Sequence, residues 1–363
     1  MIQRTHKVRI YPNKAQEEIL RKTVGTTRYA YNWGLEKWED LYKNGERCSA
    51  YTLSRLWTAE RPEWAKETSR KSQVRSFMHL EGAYKAFFRG QNKYPKFKSK
   101  SKSRKTFYVG NDEGKLYPNR RIQIPRVGHV KMAEEFRYPD SKIMSMIVEE
   151  RAGKWYVSIF CEILDDTRTT STSVVGVDVG IKHWAVASDG TVCDSPTKLK
   201  HYERQLKRKQ RLLARKAKGS KRREKAKLQV QKAYQKITNI KLDTIHKFTS
   251  TIAKNHGVVV VEDLNVEDMK SSDNKYIRKG VQNSAMSEIK RQLLYKCNNH
   301  VKVDRYYPSS KTCSNCGNVK DNLTLSDRSY HCDSCHTMID RDLNAAINLQ
   351  RKGLEIISGR SDR

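Results

Sequence analysis

Two apolar runs that end in a carboxylate restrict this chain more than any other feature. Val258-Val259-Val260-Val261-Glu262 has no polar position before its acid, the pattern of a strand buried on both faces. Val174-Val175-Gly176-Val177-Asp178-Val179-Gly180 repeats it and closes in turn residues. Residues 184–188 and 191–193 lie around Asp189-Gly190 and read as a hairpin beside the first run. Helical patterns at 198–253, 283–299 and from about 341 to 352, with a further strand at 301–306, complete an α/β arrangement for the second half.

The acids are as informative as the strands. Asp178 interrupts one apolar run, Glu262 ends the other, and Asp342 stands at a helix start in Asp340-Arg341-Asp342-Leu343-Asn344-Ala345-Ala346. A lone carboxylate at a strand end is commonly a cap or an ion-pair partner. Three beside buried strands are costly unless they are paired or bind a metal. Converging carboxylates with Mg²⁺ or Mn²⁺ form the two-metal machinery that cleaves phosphodiesters. Asp340, Asp263 and Asp268 stand close enough in sequence to be helpers or decoys, and their spacing alone does not separate them from the three.

Charge names the class of partner. The 363 residues carry 73 Lys+Arg against 40 Asp+Glu, a net charge of +33, which calls for a polyanion. Nucleic acid fits best, with an anionic membrane surface as the competitor. Spanning a membrane is excluded, because no stretch of about 18 apolar residues occurs. Two tracts concentrate the charge. Residues 198–241 hold 18 Lys/Arg against Glu203 and Glu224, where a solvated helix face would mix signs. This predicts a basic helix or helical hairpin that follows phosphates, with Lys207, Arg208, Lys209 and Arg211 as candidate contacts. Residues 85–105 hold nine basic residues and no acid, interleaved with Phe87, Phe88, Tyr94 and Phe97. Lys96 and Lys98 are the candidates there, since aromatics among cations suit stacking as well as phosphate contact.

Cysteine usage points to a reducing compartment. The N-terminus lacks the apolar run of a secretory signal, so the eight cysteines read as ligands or core residues. Cys313-x-x-Cys316 and Cys332-x-x-Cys335, separated by 15 residues, predict one closed tetrahedral Zn²⁺ site with a structural role. Gly317 and His336 follow the two pairs, where each knuckle requires an unusual backbone conformation. Cys48, Cys161, Cys193 and Cys297 are expected in cores.

The first half alternates less simply. Residues 6–12 alternate as a half-buried strand, and Asn13 with Gln16 forms a capping-box pattern at a helix start. The stripe Leu20, Val24, Thr27, Tyr31, Leu35, Trp38, Tyr42 follows one helix face, weakened at Gly25 and Gly34. Further helices fall near 52–57 and 71–89. Strands at 142–148 and 154–163 flank the turn at 150–153, and Trp155, Val157, Ile159, Cys161 and Ile163 share a face. A β domain carrying a helical insertion is expected, ending in a polar boundary at 165–173.

The order of strands, helices, acids and cysteines resembles an RNase H-like fold of the RuvC form, split by a zinc ribbon. With Gly176-Val177-Asp178-Val179-Gly180-Ile181-Lys182, Val261-Glu262-Asp263-Leu264-Asn265, the cysteine ribbon, the 340–346 segment and the opening Lys7-Val8-Arg9-Ile10-Tyr11-Pro12, the chain resembles the TnpB family. These are OrfB-type, RNA-guided endonucleases of insertion sequences, related to type V CRISPR effectors. The resemblance spans nearly the whole chain and implies a multi-domain α+β protein. Residues 1–12 with 103–168 would form the β wedge domain and 13–102 the helical recognition lobe. Residues 169–308 would form the first part of a RuvC-like α/β nuclease, including the basic hairpin 198–256. The zinc ribbon would occupy 309–338, and 339–363 the last nuclease part and tail.

By motif, Asp178, Glu262 and Asp342 become the metal-binding catalytic acids, since the family's third acid precedes Leu343-Asn344. His336 departs from the glycine usual at its place, which touches the shape of that knuckle and not its metal. The implied partners are a guide RNA from the mobile element and double-stranded target DNA, with RNA pairing choosing the target. No membrane partner is expected, and the setting is the prokaryotic cytoplasm, at the nucleoid. A monomer with its RNA is the expected state, with a dimer left open. A nuclease-inactive regulator and a strand-transfer transposase using the same acids are alternatives. The sugar-kinase and actin group shares a Gly-x-Asp-x-Gly pattern, but the charge and the ribbon argue against it.

Overall fold

The computed structural model describes residues 2–164, 169–264, 271, 285–324 and 327–359. The chain divides into two compact units, Met1–Asp165 and Asp166–Arg363.

In the first unit, β1 (Ile2–Tyr11) turns His6, Val8 and Ile10 inward on alternate positions. Its end is set by a reciprocal cap: Gln16 N donates to Asn13 Oδ1 at 2.9 Å and Asn13 N to Gln16 Oε1 at 3.0 Å. This opens α1 (Lys14–Lys43). Leu20, Val24, Tyr31, Leu35 and Trp38 are buried on one stripe, whereas Tyr42 stands 67% exposed in the last turn. Gly34 allows a close crossing, since a Cβ there would lie 2.8 Å from the Phe77 ring. α2 (Ala50–Glu60), a 3-10 turn at Glu63–Glu67 and α3 (Arg70–Phe88) close around Trp57. The Trp57 indole donates to Gln73 Oε1 at 2.8 Å, which leaves no polar atom of that ring unpaired.

Six more strands complete the sheet: β2 (Lys105–Gly110), β3 (Lys115–Tyr117), β4 (Arg121–Ile124), β5 (Gly128–Met132), β6 (Lys142–Arg151) and β7 (Lys154–Ile163). Their order is β2-β6-β7-β1-β5-β4-β3, antiparallel throughout. Ala152 (φ 52°) and Gly153 (φ 75°) make the β6–β7 turn, the positive-φ pair that matches strand twist in a two-residue hairpin.

The second unit holds β8 (Val174–Asp178), β9 (His183–Ala187), β10 (Val192–Asp194), α4 (Leu199–Ala214), α5 (Lys221–Asn255), β11 (Val258–Glu262), α6 (Met286–Lys296), β12 (Asn299–Val303), β13 (Ser329–His331), β14 (Met338–Asp340) and α7 (Arg341–Ile357). The main sheet runs β10-β9-β8-β11-β12, with β8, β11 and β12 parallel. Val175, Val177, Val259 and Val261 pack against Ile245, Phe248 and Ile252 of α5 and Ile289 and Leu293 of α6. Val260 faces the other way, onto Leu349 of α7. The central strands are therefore covered on both faces, which explains their unbroken apolar runs. The 198–253 stretch is a hairpin of two helices, joined by a turn whose carbonyls at Leu213 and Lys216 accept from Arg223 at 3.0 and 2.7 Å. Among the described residues no helix is long and apolar enough to cross a membrane.

Candidate active site and metal centre

β8 and β11 are parallel neighbours with Val177 opposite Val261, so Asp178 and Glu262 leave the same edge of the sheet one residue later. Asp342 lies in the first turn of α7, the helix packed along β8. The Asp178 carboxyl is pushed up to about 7, first by loss of water and then by the charges of Asp342 and Glu262. Glu262 is also pushed up to about 7, mainly by burial; Lys290 opposes the shift and Asp304 adds to it. Asp178 thus feels both of the other acids, one from the neighbouring strand and one from the helix.

The nearby acids have other partners. Asp340 is the N-cap of α7, its Oδ1 accepting from Asp342 N at 2.9 Å and Leu343 N at 3.1 Å. Asp263 pairs with Lys302 at 3.8 Å on the surface. Asp268 lies outside the described residues. Two cations act on the acids, Lys290 on Glu262 and Arg341 on Asp178. Lys290 reaches the carbonyl of Leu264 at 3.3 Å, and Arg341 holds the carbonyl of Thr324 at 2.6 Å. Each is far in sequence from the acid it acts on, a separation that only the fold closes.

The four cysteines form the tighter cluster. Among the described residues they are the set whose metal-ligating atoms all lie within 4.8 Å of one another; the acids are not drawn together that closely. Cys313 and Cys335 sulfurs are 3.7 Å apart, those of Cys316 and Cys332 3.5 Å. A tetrahedron with metal–sulfur arms of ~2.3 Å has edges of about 3.8 Å, so the spacing fits Zn²⁺. The two knuckles repeat: Gly317 N donates to Cys313 O and His336 N to Cys332 O, each at 3.0 Å. Gly317 (φ 81°) and His336 (φ 58°) take the left-handed conformation that such turns require. Hydrogen bonds from Thr337 pull the Cys335 thiol down, whereas contacts with the other three sulfurs push Cys316 up, as for four thiols crowded around one point. The ribbon is bound to α7 by two buried amides. Asn344 Oδ1 accepts from Ser314 N at 2.8 Å, and Asn348 Nδ2 donates to Thr312 O at 2.7 Å.

The candidate cations divide. Lys207, Arg208, Arg211 and Lys96 are exposed, and Lys209 is half-buried. Lys98 is tied to α1: its backbone exchanges two hydrogen bonds with the Asn32 amide, at 2.8 and 3.0 Å. Although much of its side chain is exposed, its Nζ lies 3.5 Å from the Tyr31 ring centre and loses water there, which depresses it to about 8.

Over 370 residues the chain is 31% identical to a protein of Streptomyces pristinaespiralis named "Putative RNA-guided DNA endonuclease", spanning 97% of this chain and 90% of that one. It belongs to the TnpB family. A second relative, "Putative RNA-guided DNA endonuclease InsQ" of Escherichia coli K12, is 29% identical over 97% of this chain and 92% of its own length. Family models match at residues 158–273 ("Probable transposase"), 1–47 ("Helix-turn-helix domain") and 287–349 ("Cas12f1-like, TNB domain"). Residues 2–43 here contain β1 and the single long helix α1, while the 287–349 match encloses the four cysteines and Asp342. Among solved structures, the Cas12f1 chain of a "Cas12f1-sgRNA-target DNA complex" shares the fold. Its TM-score is 0.57 at 14% identity, covering 96% of this chain and 98% of that one.

Proposed function

We propose that this TnpB-family chain is an RNA-guided DNA endonuclease that cuts phosphodiesters at a RuvC-type site of Asp178, Glu262 and Asp342. The observation that carries this reading is the carboxyl of Asp178, held near 7 by burial and by the other two acids. Keeping three acids so disposed costs stability unless cations are bound. An all-oxygen donor set suits Mg²⁺ or Mn²⁺. Such ions, when bound, lower the pKa of an attacking water and stabilise the leaving oxygen. The chain's own part is to hold the acids on rigid elements, with Lys290 acting on Glu262 and Arg341 on Asp178 to limit the repulsion.

In this reading residues 1–12 with 103–168, which include the antiparallel strands β1 to β7, are the wedge, and 13–102 the recognition lobe. Residues 169–308 and 339–363 form the nuclease, and 309–338 the ribbon. One Zn²⁺ on Cys313, Cys316, Cys332 and Cys335 leaves no open position and serves the fold. Lys96, Lys207, Arg208, Lys209 and Arg211 supply phosphate contacts. RNA and target DNA as partners are supported by the relatives' names and by the composition of the Cas12f1 complex.

The test begins with sequencing the RNA that co-purifies with the chain. Its targeting segment is then replaced, and cleavage of a randomised plasmid library is followed with Mg²⁺ or with EDTA. Cuts that move with the new segment and require the cation support the proposal. Cleavage indifferent to the RNA or the cation overturns it, and DNA ends joined to a second DNA would favour strand transfer.

A further inference from the structure

A cavity of about 790 Å³ opens between α4 and α5, within the size range of ligand pockets. Its lining recurs with helical spacing on both sides, so that one face of each helix meets the other across the opening. Ile237 is buried and Leu206 half-buried, which makes an apolar floor. Lys200, Arg204 and Lys207 are exposed on the α4 side, and Lys241 lies across from them. Tyr234 stands 48% exposed at the edge, its hydroxyl accepting from the Gln210 amide of α4 at 2.5 Å. That bond holds the ring at the opening between the two helices.

An aromatic face with an apolar floor and a row of cations is what a single-stranded nucleic acid requires: a surface for one base and charge for the phosphates on either side. We infer that this cleft holds one unstacked nucleotide of a single-stranded RNA, its base against Tyr234 and its neighbouring phosphates on Lys200, Arg204 and Lys207. Glu203 fits the same ligand. A carboxylate among these cations weakens phosphate binding, but it accepts a hydrogen bond from a ribose 2′-hydroxyl, the group that separates RNA from DNA. The inference rests on the nucleic-acid reading above and deepens it. Phosphate tracking alone leaves the half-exposed Tyr234 ring at the opening without a role, and an acidic peptide would not need a stacking face.

The experiment uses the full chain stripped of its RNA, in EDTA, so that binding is read without cleavage. The probes are a labelled 12-nucleotide single-stranded RNA and the DNA of the same sequence. Tyr234→Ala should weaken RNA binding roughly five- to hundredfold, the range of one base–aromatic stack, while Tyr234→Phe, which keeps the stacking face and loses only the Gln210 bond, should lose clearly less. Glu203→Gln should narrow the preference for RNA over DNA. A 4-thiouridine probe on the wild-type chain should crosslink within residues 232–241, a readout that survives if Tyr234→Ala fails to fold.

RNA binding unchanged in a folded Tyr234→Ala, a crosslink elsewhere, or displacement by an acidic peptide overturns the inference. In those cases guided cleavage by the wild type is untouched, so the proposed function stands. A wild-type chain that binds no RNA at all removes the proposed function and this inference together.

Discussion

A Cβ on Gly176 would lie 2.0 Å from the carbonyl oxygen of Ala346, so β8 and α7 meet backbone to backbone. Gly176 is two residues before Asp178 on the same face of its strand, and Ala346 is one turn beyond Asp342 on the same face of its helix. This close approach, with the Gln350 amide donating to the Val174 carbonyl at 2.8 Å, fixes the helix against the strand that carries Asp178.

Gly176→Ala should therefore damage cleavage without removing an acid. Overpacking a core commonly costs about 1–3 kcal/mol, and here the obstacle is main chain that cannot rotate away. A shift of α7 by about 1 Å can lower a rate about a hundredfold. Guide-RNA affinity, set elsewhere, should persist. Melting temperature, cleavage rate and RNA affinity measured side by side check this; unchanged cleavage would mean that the spacing of Asp178 and Asp342 is immaterial.

The raised carboxyls give stability a definite pH dependence. Folded Asp178 and Glu262 hold protons up to about 7 that the unfolded chain releases near 4. Their contribution to stability is full below the unfolded pKa and is lost as pH rises through about 7. In EDTA, wild type should lose stability between about pH 4 and 7, and Asp178→Asn should lose less. At pH 8 the variant should be the more stable by on the order of 1–4 kcal/mol, a gap that Mg²⁺ closes by stabilising wild type. Melting curves across that range decide it; a variant weaker than wild type at pH 8 in EDTA counts against a crowded acid site.

The ribbon should bind one metal and serve the fold. Cys313→Ser or Cys332→Ser should lower zinc from about one per chain by the four-ligand count and destabilise residues 309–338, because metal binding adds to folding. The amides of Asn344 and Asn348 should pass the damage to α7 and slow cleavage. Metal analysis with melting curves checks this. Active, zinc-free protein would contradict it.

Much of this was legible because local chemistry decides it. The Asn13–Gln16 cap, the unbroken valines of β11 and the positive-φ places after each Cys-x-x-Cys depend on neighbours within a few residues. Strands β2 to β5 had no individual sequence signal, being three to six residues long, with polar turns between them. The exposure of Tyr42 and the docking of Lys98 on Tyr31 were illegible, since each depends on where α1 ends or what crosses it. The separation of Asp340 from Asp342 is likewise geometric: one carboxylate turns back to cap its own helix, and spacing two apart cannot say which.

The basic hairpin should give a measurable salt signature. If Lys207, Arg208, Lys209 and Arg211 contact phosphates, changing all four to Glu should flatten the plot of log affinity against log salt as well as weaken binding. Each lost contact should remove about 0.7 from the slope for single strands and 0.9 for duplex. Fluorescence anisotropy with guide RNA at several salt concentrations reads both quantities. An unchanged slope with modestly lower affinity would mark a merely solvated face.

The most direct measurement compares guided plasmid cleavage by Asp178→Ala, Glu262→Ala, Asp342→Ala and Asp340→Ala in Mg²⁺, with nucleic-acid affinity measured for each. Affinity comes mainly from Lys and Arg, so all four should still bind. The first three should cut no faster than background. Asp340→Ala should lose a helix cap worth about 0.5–2 kcal/mol and still cut. Near-wild-type cleavage by any of the first three, or abolition by Asp340→Ala in folded protein, would contradict the assignment of the site.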